Sequence, residues 1–255
     1  MSADIRVAVE GPVLSVTFDR PAQRNAMTFA MYEGLVEACE RADADDEIRV
    51  VVLRGAGGQA FVAGTDIAQF AGFDGPAGVA YEARIDATIG RLLAVTVPVV
   101  AAIDGFCIGG GLAIAAAADL RVADRSARFG YPIARTLGNT LSAASYALTL
   151  RHFGHARTVD MVMTARLLDV EEARSAGFVT RVTDDVTATT ADVVGKLLAN
   201  APLTQWAAKE TLRRLHAAAV PVQADDVLDR VYGSADFAAG VAAFTSRQAP
   251  GWTGR

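Results

Sequence analysis

The chain opens on two short β-branched runs, VLSVTF at Val13–Phe18 and VVVL at residues 50–53, and each predicts a strand. Between them, residues 28–42 carry Phe29, Leu35, Val36 and Cys39 at helical spacing. The apolar run at 97–103 predicts a buried strand, the small-residue stretch 109–118 a helix, and 120–123 another short strand. Strands and helices therefore alternate, the pattern of an α/β fold.

Further on, 141–153 and 156–164 have helical character, and Asp169 followed by Glu172 has the spacing of a capping box ahead of a helix stopped at Gly177. Residues 178–182 return as a strand. From Ala188 onward the pattern is almost wholly helical, with 203–219 amphipathic and a last helix near 236–247. The expected division is an α/β unit over 1–190 and a helical region over 191–255 that covers the first or joins copies of it.

Composition then removes several classes of function. The 255 residues are 52% apolar and 21% charged, which fits a folded chain with one sizeable core. A net charge of −5 with no Lys/Arg cluster argues against a nucleic-acid partner. Cys39 and Cys107 sit among apolar residues without zinc-site spacing, so reduced thiols, a cytoplasmic setting and no metal are expected. Pro98 and Asp104 break the apolar stretch 92–118 into runs shorter than the roughly 18 to 20 residues of a membrane helix. Residues 1–10 lack the pattern of a secretory signal, and no membrane partner is expected.

Two glycine-bearing segments carry the candidate chemistry: Phe61-Val62-Ala63-Gly64-Thr65-Asp66, and Gly105-Phe106-Cys107-Ile108-Gly109-Gly110-Gly111 between a buried strand and a helix. Glycines at a strand-to-helix junction let backbone N–H groups face a bound oxygen, and the helix end adds partial positive charge. The plainer reading of either segment alone is a tight turn with close helix–sheet packing. Gly55 to Ala60 also satisfies G-x-G-x-x-A after a strand, but a dinucleotide fingerprint opens a helix directly, and this segment leads to Phe61 instead.

Taken in order, the segments resemble the crotonase (enoyl-CoA hydratase/isomerase) superfamily. The likeness begins at Asp19-Arg20-Pro21 and Arg24-Asn25-Ala26-Met27 and continues through Phe61 to Asp66, Ile103-Asp104-Gly105 and Gly109-Gly110-Gly111. It extends over Ala118-Asp119-Leu120-Arg121, Ala127-Arg128-Phe129-Gly130, Glu171-Glu172-Ala173, Gly177-Phe178-Val179, Pro202, Lys209-Glu210 and the ending Phe237, Gly240, Phe244 and Arg247. The resemblance implies a crotonase-like spiral of ββα units with a helical C-terminal region, assembled as a homotrimer or a dimer of trimers. It implies an acyl-CoA thioester as substrate, with no cofactor beyond the coenzyme A that the substrate carries.

Residue by residue, the resemblance assigns an oxyanion hole to the backbone N–H groups of Thr65 and Gly110. Each such donor is worth on the order of 3 to 4 kcal/mol when negative charge develops on a thioester oxygen. Arg24, Ala26, Ala63, Gly64, Asp66, Ile67 and Gly109 match the path of coenzyme A and pantetheine, and Tyr131 with Pro132 the acyl pocket. Read from the residues alone, Arg24 is a solvated loop charge and Asp66 a helix N-cap.

The departure from the family lies in its acids. Hydratases that this chain resembles carry two glutamates, and their positions here are Ala113 and Ile133, or Ala134 in the alternative register. Residues 105–118 and 125–159 contain no Asp or Glu. Arg135, Asn139 and Ser142 remain as polar groups: Arg135 to neutralise an acidic acyl group, the other two to position water or substrate or simply to cap the helix at Leu141. The acids between Asp74 and Asp86, Glu82 among them, lie in a segment similar to the mobile region of relatives, and their residue-level reading is a solvated helix face. His152, His155 and His216 read as surface or packing residues.

Three functions follow. One is a hydratase or isomerase whose acid comes from outside the usual positions. Another is a thioester hydrolase, decarboxylase or carbon–carbon lyase in which enolate stabilisation suffices. The third is an acyl-CoA-binding paralogue without turnover.

Overall fold

A computed structural model describes residues 4–217 and 223–253. An antiparallel hairpin of β1 (Ile5–Glu10) and β2 (Val13–Phe18) leads into α1 (Phe29–Ala44). Three stretches then repeat the order strand, strand, helix. They are β3 (Val50–Gly55), β4 (Ala60–Ala63) and α2 (Gly75–Leu93); β5 (Val99–Ile103), β6 (Phe106–Ile108) and α3 (Gly110–Ala117); and β7 (Leu120–Asp124), β8 (Arg128–Gly130) and α4 (Ile133–Thr136). The first strand of each unit enters a six-stranded sheet of order β1-β2-β3-β5-β7-β10, where β10 is Arg181–Thr183. The second enters a four-stranded sheet of order β4-β6-β8-β9, where β9 is Leu168–Asp169. All neighbours run parallel except β1 with β2 and β8 with β9. This is the crotonase-like α/β spiral, and it places two strand-to-helix junctions side by side.

The two-residue period of the strands sorts the core. Val51, Leu53, Val99, Ala101 and Ile103 face the main core, while Val50, Val52, Val100, Ala102 and Val122 form a second cluster closed by Val186 and Val193. Both of those valines belong to α7 (Val186–Ala199), which packs on the large sheet across the expected boundary near residue 190.

Residues 141–164 form α5 (Ala143–Met163), interrupted at Gly154 (φ 70°, ψ 171°), so the two expected helices meet at a glycine corner. The capping box at Asp169 and Glu172 is present and starts α6 (Val170–Ser175). The strand expected at 178–182 is displaced to β10, because the Phe178 N–H donates to the Ala173 carbonyl of α6 (3.0 Å) and the Phe178 carbonyl accepts from the Arg121 guanidinium, which takes its backbone out of the ladder. α8 (Pro202–Ala217) buries none of its residues and exposes Leu203, Leu212 and Leu215; Ala218 and Ala219, also expected in this helix, lie outside the described residues. α9 (Asp225–Tyr232) and α10 (Ala235–Ser246) fold back, joining Phe70 and Leu137 in a third cluster through Leu228, Tyr232 and Phe237. Gly78 permits this return: a Cβ there would sit 2.0 Å from the Tyr232 ring.

Asn25 fastens the loop before α1 to the β3–β4 corner. It is fully buried at φ 57°, a left-handed conformation that asparagine tolerates. Its side chain accepts from the Arg20 N–H (2.9 Å) and donates to the carbonyls of Ala56 (2.9 Å) and Ala60 (2.7 Å). Asn25→Ala leaves the buried Ala60 carbonyl and the half-buried Arg20 N–H and Ala56 carbonyl without this partner, and is expected to lower the unfolding free energy by about 2 to 3 kcal/mol in denaturant titrations. A loss below about 0.5 kcal/mol would show that the loop holds itself.

Candidate active site

A cavity of about 510 Å³ opens where the two junctions meet, with Arg24, Ala26 and Asp66 near residues of α2, α3 and the segment after β8 on its wall. β4 and β6 run parallel with Ala63 opposite Ile108, so the chain leaves both strands toward the same cavity. Gly64 (φ 98°) and Gly109 (φ 56°) make the turns, and a Cβ on Gly109 would lie 3.3 Å from the Gly64 Cα. The positive φ disfavours a side chain at both positions, and at Gly109 a Cβ would also be tight against Gly64.

The hydrogen bonds of the junctions pass over two donors. Met27 pairs with Thr65 through Met27 N–H to the Gly64 carbonyl (2.9 Å) and Asp66 N–H to the Met27 carbonyl (2.8 Å), a pattern that omits the Thr65 N–H. Gly110 is the first residue of α3, whose opening N–H groups have no acceptor within the helix. The bonding resumes at Ala113, whose N–H donates to the Gly109 carbonyl (3.1 Å). Thr65 and Gly110 both line the cavity, which puts two backbone donors outside the fold's own bonding and a helix N-terminus on its wall.

The Thr65 side chain is anchored by two phenols. Its Oγ1 lies 2.8 Å from the Tyr32 hydroxyl and 2.8 Å from the Tyr81 hydroxyl. Burial pushes the Tyr32 phenol up to about 12 and raises Tyr81 well above its ordinary value, so both stay neutral hydrogen-bonding partners.

Glu82 overturns the expectation of a solvated helix face. It is 4% exposed, on the face of α2 that α9 covers, and it lines the cavity. Its Oε1 accepts from the Tyr232 hydroxyl (2.6 Å) and its Oε2 from the Ser142 N–H (2.9 Å). Burial pushes the carboxyl up to about 7, and nearby Asp86 adds to the rise; the bonds from Tyr232 and Ser142 act the other way. Asp86, one helical turn on, accepts from the Ser142 hydroxyl (2.6 Å), and burial raises its carboxyl too.

The remaining candidates divide between wall and support. Ala26, Ala63, Gly64, Ile67, Gly109, Tyr131 and Pro132 line the cavity with Ala113 and Ile133, whose side chains carry no ionisable group. Arg24 stands at φ 50° with its guanidinium 5.1 Å from the Phe106 ring. Asp66 caps the 3-10 turn Ile67–Phe70 through the Ala68 N–H (3.2 Å) and pairs with Arg20 (2.9 Å), so the cap and a place on the cavity coexist. Asn139 lines the cavity, donates to the Tyr232 hydroxyl (3.2 Å) and keeps a buried Oδ1 without a partner. Ser142 is 3% exposed and caps α5, holding Glu82 and Asp86 rather than forming part of the wall. His152 packs on Phe178 with Nε2 2.9 Å from the Ala116 carbonyl.

The residues that sequence reasoning missed are Tyr32, Tyr81 and Tyr232. No local motif marks them, since each acts by reaching across from a different helix. Among the described residues no helix is long and apolar enough to cross a membrane.

Comparison with known proteins places the chain in a family. The family model described as enoyl-CoA hydratase/isomerase matches residues 8–255, and the chain belongs to that family. It is 32% identical to an enoyl-CoA hydratase of Mycobacterium tuberculosis over 99% of this chain and 97% of the relative. It is 31% identical to the 1,2-epoxyphenylacetyl-CoA isomerase of Escherichia coli over 97% of each chain. The crystal structure of an enoyl-CoA hydratase/carnithine racemase from Magnetospirillum magneticum superposes with a TM-score of 0.81 at 33% identity, covering 100% of this chain and 97% of that one.

A buried carboxyl raised to about 7 binds its proton more tightly in the folded chain than in the unfolded one. Its contribution is therefore fully present below the ordinary glutamate value and fades as pH rises through about 7. The shift corresponds to about 3 kcal/mol. The stability difference between wild type and Glu82→Gln, followed by denaturant titration from pH 4 to 8, should move in favour of the variant by about that amount. A pH-independent difference would contradict the burial of an ionisable carboxyl.

Proposed function

We propose that this protein is an acyl-CoA enzyme that stabilises a thioester enolate between the backbone N–H groups of Thr65 and Gly110. The observation that carries the reading is the pair of junction donors left out of the fold's own bonding on the wall of one cavity. A thioester oxygen placed between them gains two hydrogen bonds as its carbonyl acquires enolate charge, and the α3 N-terminus adds to the field.

Arg24, Ala26, Ala63, Asp66 and Ile67 then flank the coenzyme A and pantetheine arm at the mouth. The apolar wall of Tyr131, Ile133, Leu137 and Leu141 takes the acyl chain. Ala113 and Ile133 stand where hydratases of the family carry their glutamates, which supports enolate chemistry over the family's two-carboxyl water addition. The isomerase among the relatives fits the same reading. The exposed apolar positions Leu203, Trp206, Leu212 and Leu215 of α8 support assembly with further copies, as a homotrimer or a dimer of trimers. The cytoplasmic setting of this reading rests on the two cysteines without disulfide or zinc-site spacing. In this arrangement residues 1–190 carry the site and 191–255 cover it and join the copies.

The test is incubation with saturated and α,β-unsaturated acyl-CoA thioesters in deuterated water, followed by mass spectrometry. Deuterium at the carbon beside the thioester is expected. Binding without any chemical change would overturn the catalytic reading, and no binding would overturn the ligand class.

Gly110→Pro removes the donor at a helix position that proline tolerates, but an added Cβ would meet the Tyr32 hydroxyl at 2.2 Å. The comparison is therefore Tyr32→Phe against Tyr32→Phe with Gly110→Pro. Turnover should fall about 10²- to 10³-fold in the double variant with thioester binding retained. Equal turnover would remove Gly110 from the oxyanion hole.

A further inference from the structure

We propose that Glu82 is the proton-transfer group of this site, supplied by α2 and held by Tyr232 of α9 and Ser142 at the start of α5. The inference rests on the enolate reading above and adds to it the acid–base group that Ala113 and Ile133 do not provide.

Three observations converge on Glu82. It lines the same cavity as Thr65 and Gly110 and is the ionisable carboxyl that α2 presents there. The preceding residue, Tyr81, bonds the Thr65 hydroxyl at 2.8 Å, which fixes this turn of α2 against the first oxyanion junction. The carboxylate is also oriented by a directed chain. The Asn139 amide donates to the Tyr232 oxygen (3.2 Å), the Tyr232 hydroxyl donates to Oε1 (2.6 Å), and the Ser142 N–H donates to Oε2 (2.9 Å). Each oxygen accepts one bond in this chain, and a carboxylate oxygen has a second lone pair for a proton taken from substrate.

The groups that set its proton affinity come from every side. Burial and Asp86 on the same helix raise it, while the donors Tyr232 from α9 and Ser142 from the start of α5 lower it. Its charge in turn adds to the burial that raises the phenols of Tyr32 from α1, Tyr81 from α2, Tyr131 from the segment after β8 and Tyr232. Burial raises the carboxyl to about 7, where a general base and its conjugate acid are both populated near neutral pH.

The step balances without a co-reactant. The Glu82 carboxylate takes a proton from the carbon beside the thioester; that C–H bond breaks, its electron pair passes into the enolate, and an O–H bond forms on Glu82. Return of the proton to the same carbon gives exchange. With a β,γ-unsaturated chain the electron pair extends into a dienolate, and return of the proton to the γ carbon moves the double bond into conjugation. One carboxyl suffices for this shuttle, whereas addition of water calls for a second acid–base group. The reaction class that follows is proton transfer between carbons of the acyl chain.

The experiment measures α-proton exchange of butyryl-CoA in deuterated water and conversion of 3-hexenoyl-CoA to the 2-enoyl isomer, with butyryl-CoA binding followed by calorimetry. Glu82→Gln should lose about 10²- to 10⁴-fold in both rates and keep its affinity for butyryl-CoA. The kcat/KM of the wild type should rise with pH through about 7 and level off. Tyr232→Phe removes a bond that favours the charged carboxylate, so it should move that limb to higher pH; a purely structural role for Glu82 predicts no such movement. Exchange within threefold of wild type in Glu82→Gln, or an unshifted limb in Tyr232→Phe, would overturn the proposal, and the second measurement decides should Glu82→Gln fail to fold. Water addition as the main reaction of 2-hexenoyl-CoA would overturn the single-carboxyl mechanism. Loss of butyryl-CoA binding by the wild type would instead overturn the reading of the site as an acyl-CoA pocket.

Discussion

The contact between Gly64 and Gly109 governs the geometry of the whole site. A Cβ on Gly109 would approach the Gly64 Cα to 3.3 Å, and both residues occupy the left-handed region. Glycine at both positions lets the chain take these positive φ values, and at Gly109 it also leaves room for the neighbouring junction. The consequence is chemical as well as steric: the backbone turns outward at each junction, and its N–H groups at Thr65 and Gly110 are free for a ligand rather than a ladder. The repeated ββα units exist on either side of this contact, each sending one strand to the large sheet and one to the small. Asn25 holds the third wall in place by tying the loop of Arg24 and Ala26 to the β3–β4 corner.

A second balance decides the chemistry of the cavity. Burial disfavours the Glu82 carboxylate, while donors from Tyr232 and Ser142 favour it, and burial is the larger effect. The donors arrive from helices that the chain adds late, α5 and α9, so the proton affinity of the site depends on how the C-terminal segment docks. Gly78 lets the Tyr232 ring lie against α2, and Phe237 packs on that ring at a centroid distance of 4.8 Å. Packing at the C-terminus and acid–base behaviour at the centre are thus coupled through one phenol.

Legibility in the sequence followed the range of the interactions. The alternation of strands and helices, the glycine junctions and the capping box at Asp169 are local devices, and each was readable where it stands. β1 was missed although its burial alternates with the two-residue period of a strand, and β6 and β8 were missed because three residues carry no period. Glu82 was misread for a different reason. Its helix has an acidic stretch that resembles a solvated face, and the seal over it comes from Tyr232, 150 residues later in the chain. The Thr65 hydroxyl network was invisible for the same cause, since Tyr32 and Tyr81 lie on different helices. Local pattern marked the glycine junctions, and tertiary packing alone could reveal the carboxyl beside them.

The most direct test of the account is the vibrational frequency of a bound thioester carbonyl. Butyryl-CoA labelled with ¹³C at the thioester carbon would be titrated into the protein and its carbonyl stretch isolated by isotope-difference infrared spectroscopy. Two hydrogen bonds from Thr65 and Gly110 polarise the carbonyl toward an enolate-like oxygen, so the band should move to lower frequency on binding and narrow as the environment becomes uniform. A bound thioester whose carbonyl band stays at its aqueous position would contradict the claim that these two junctions form an oxyanion hole.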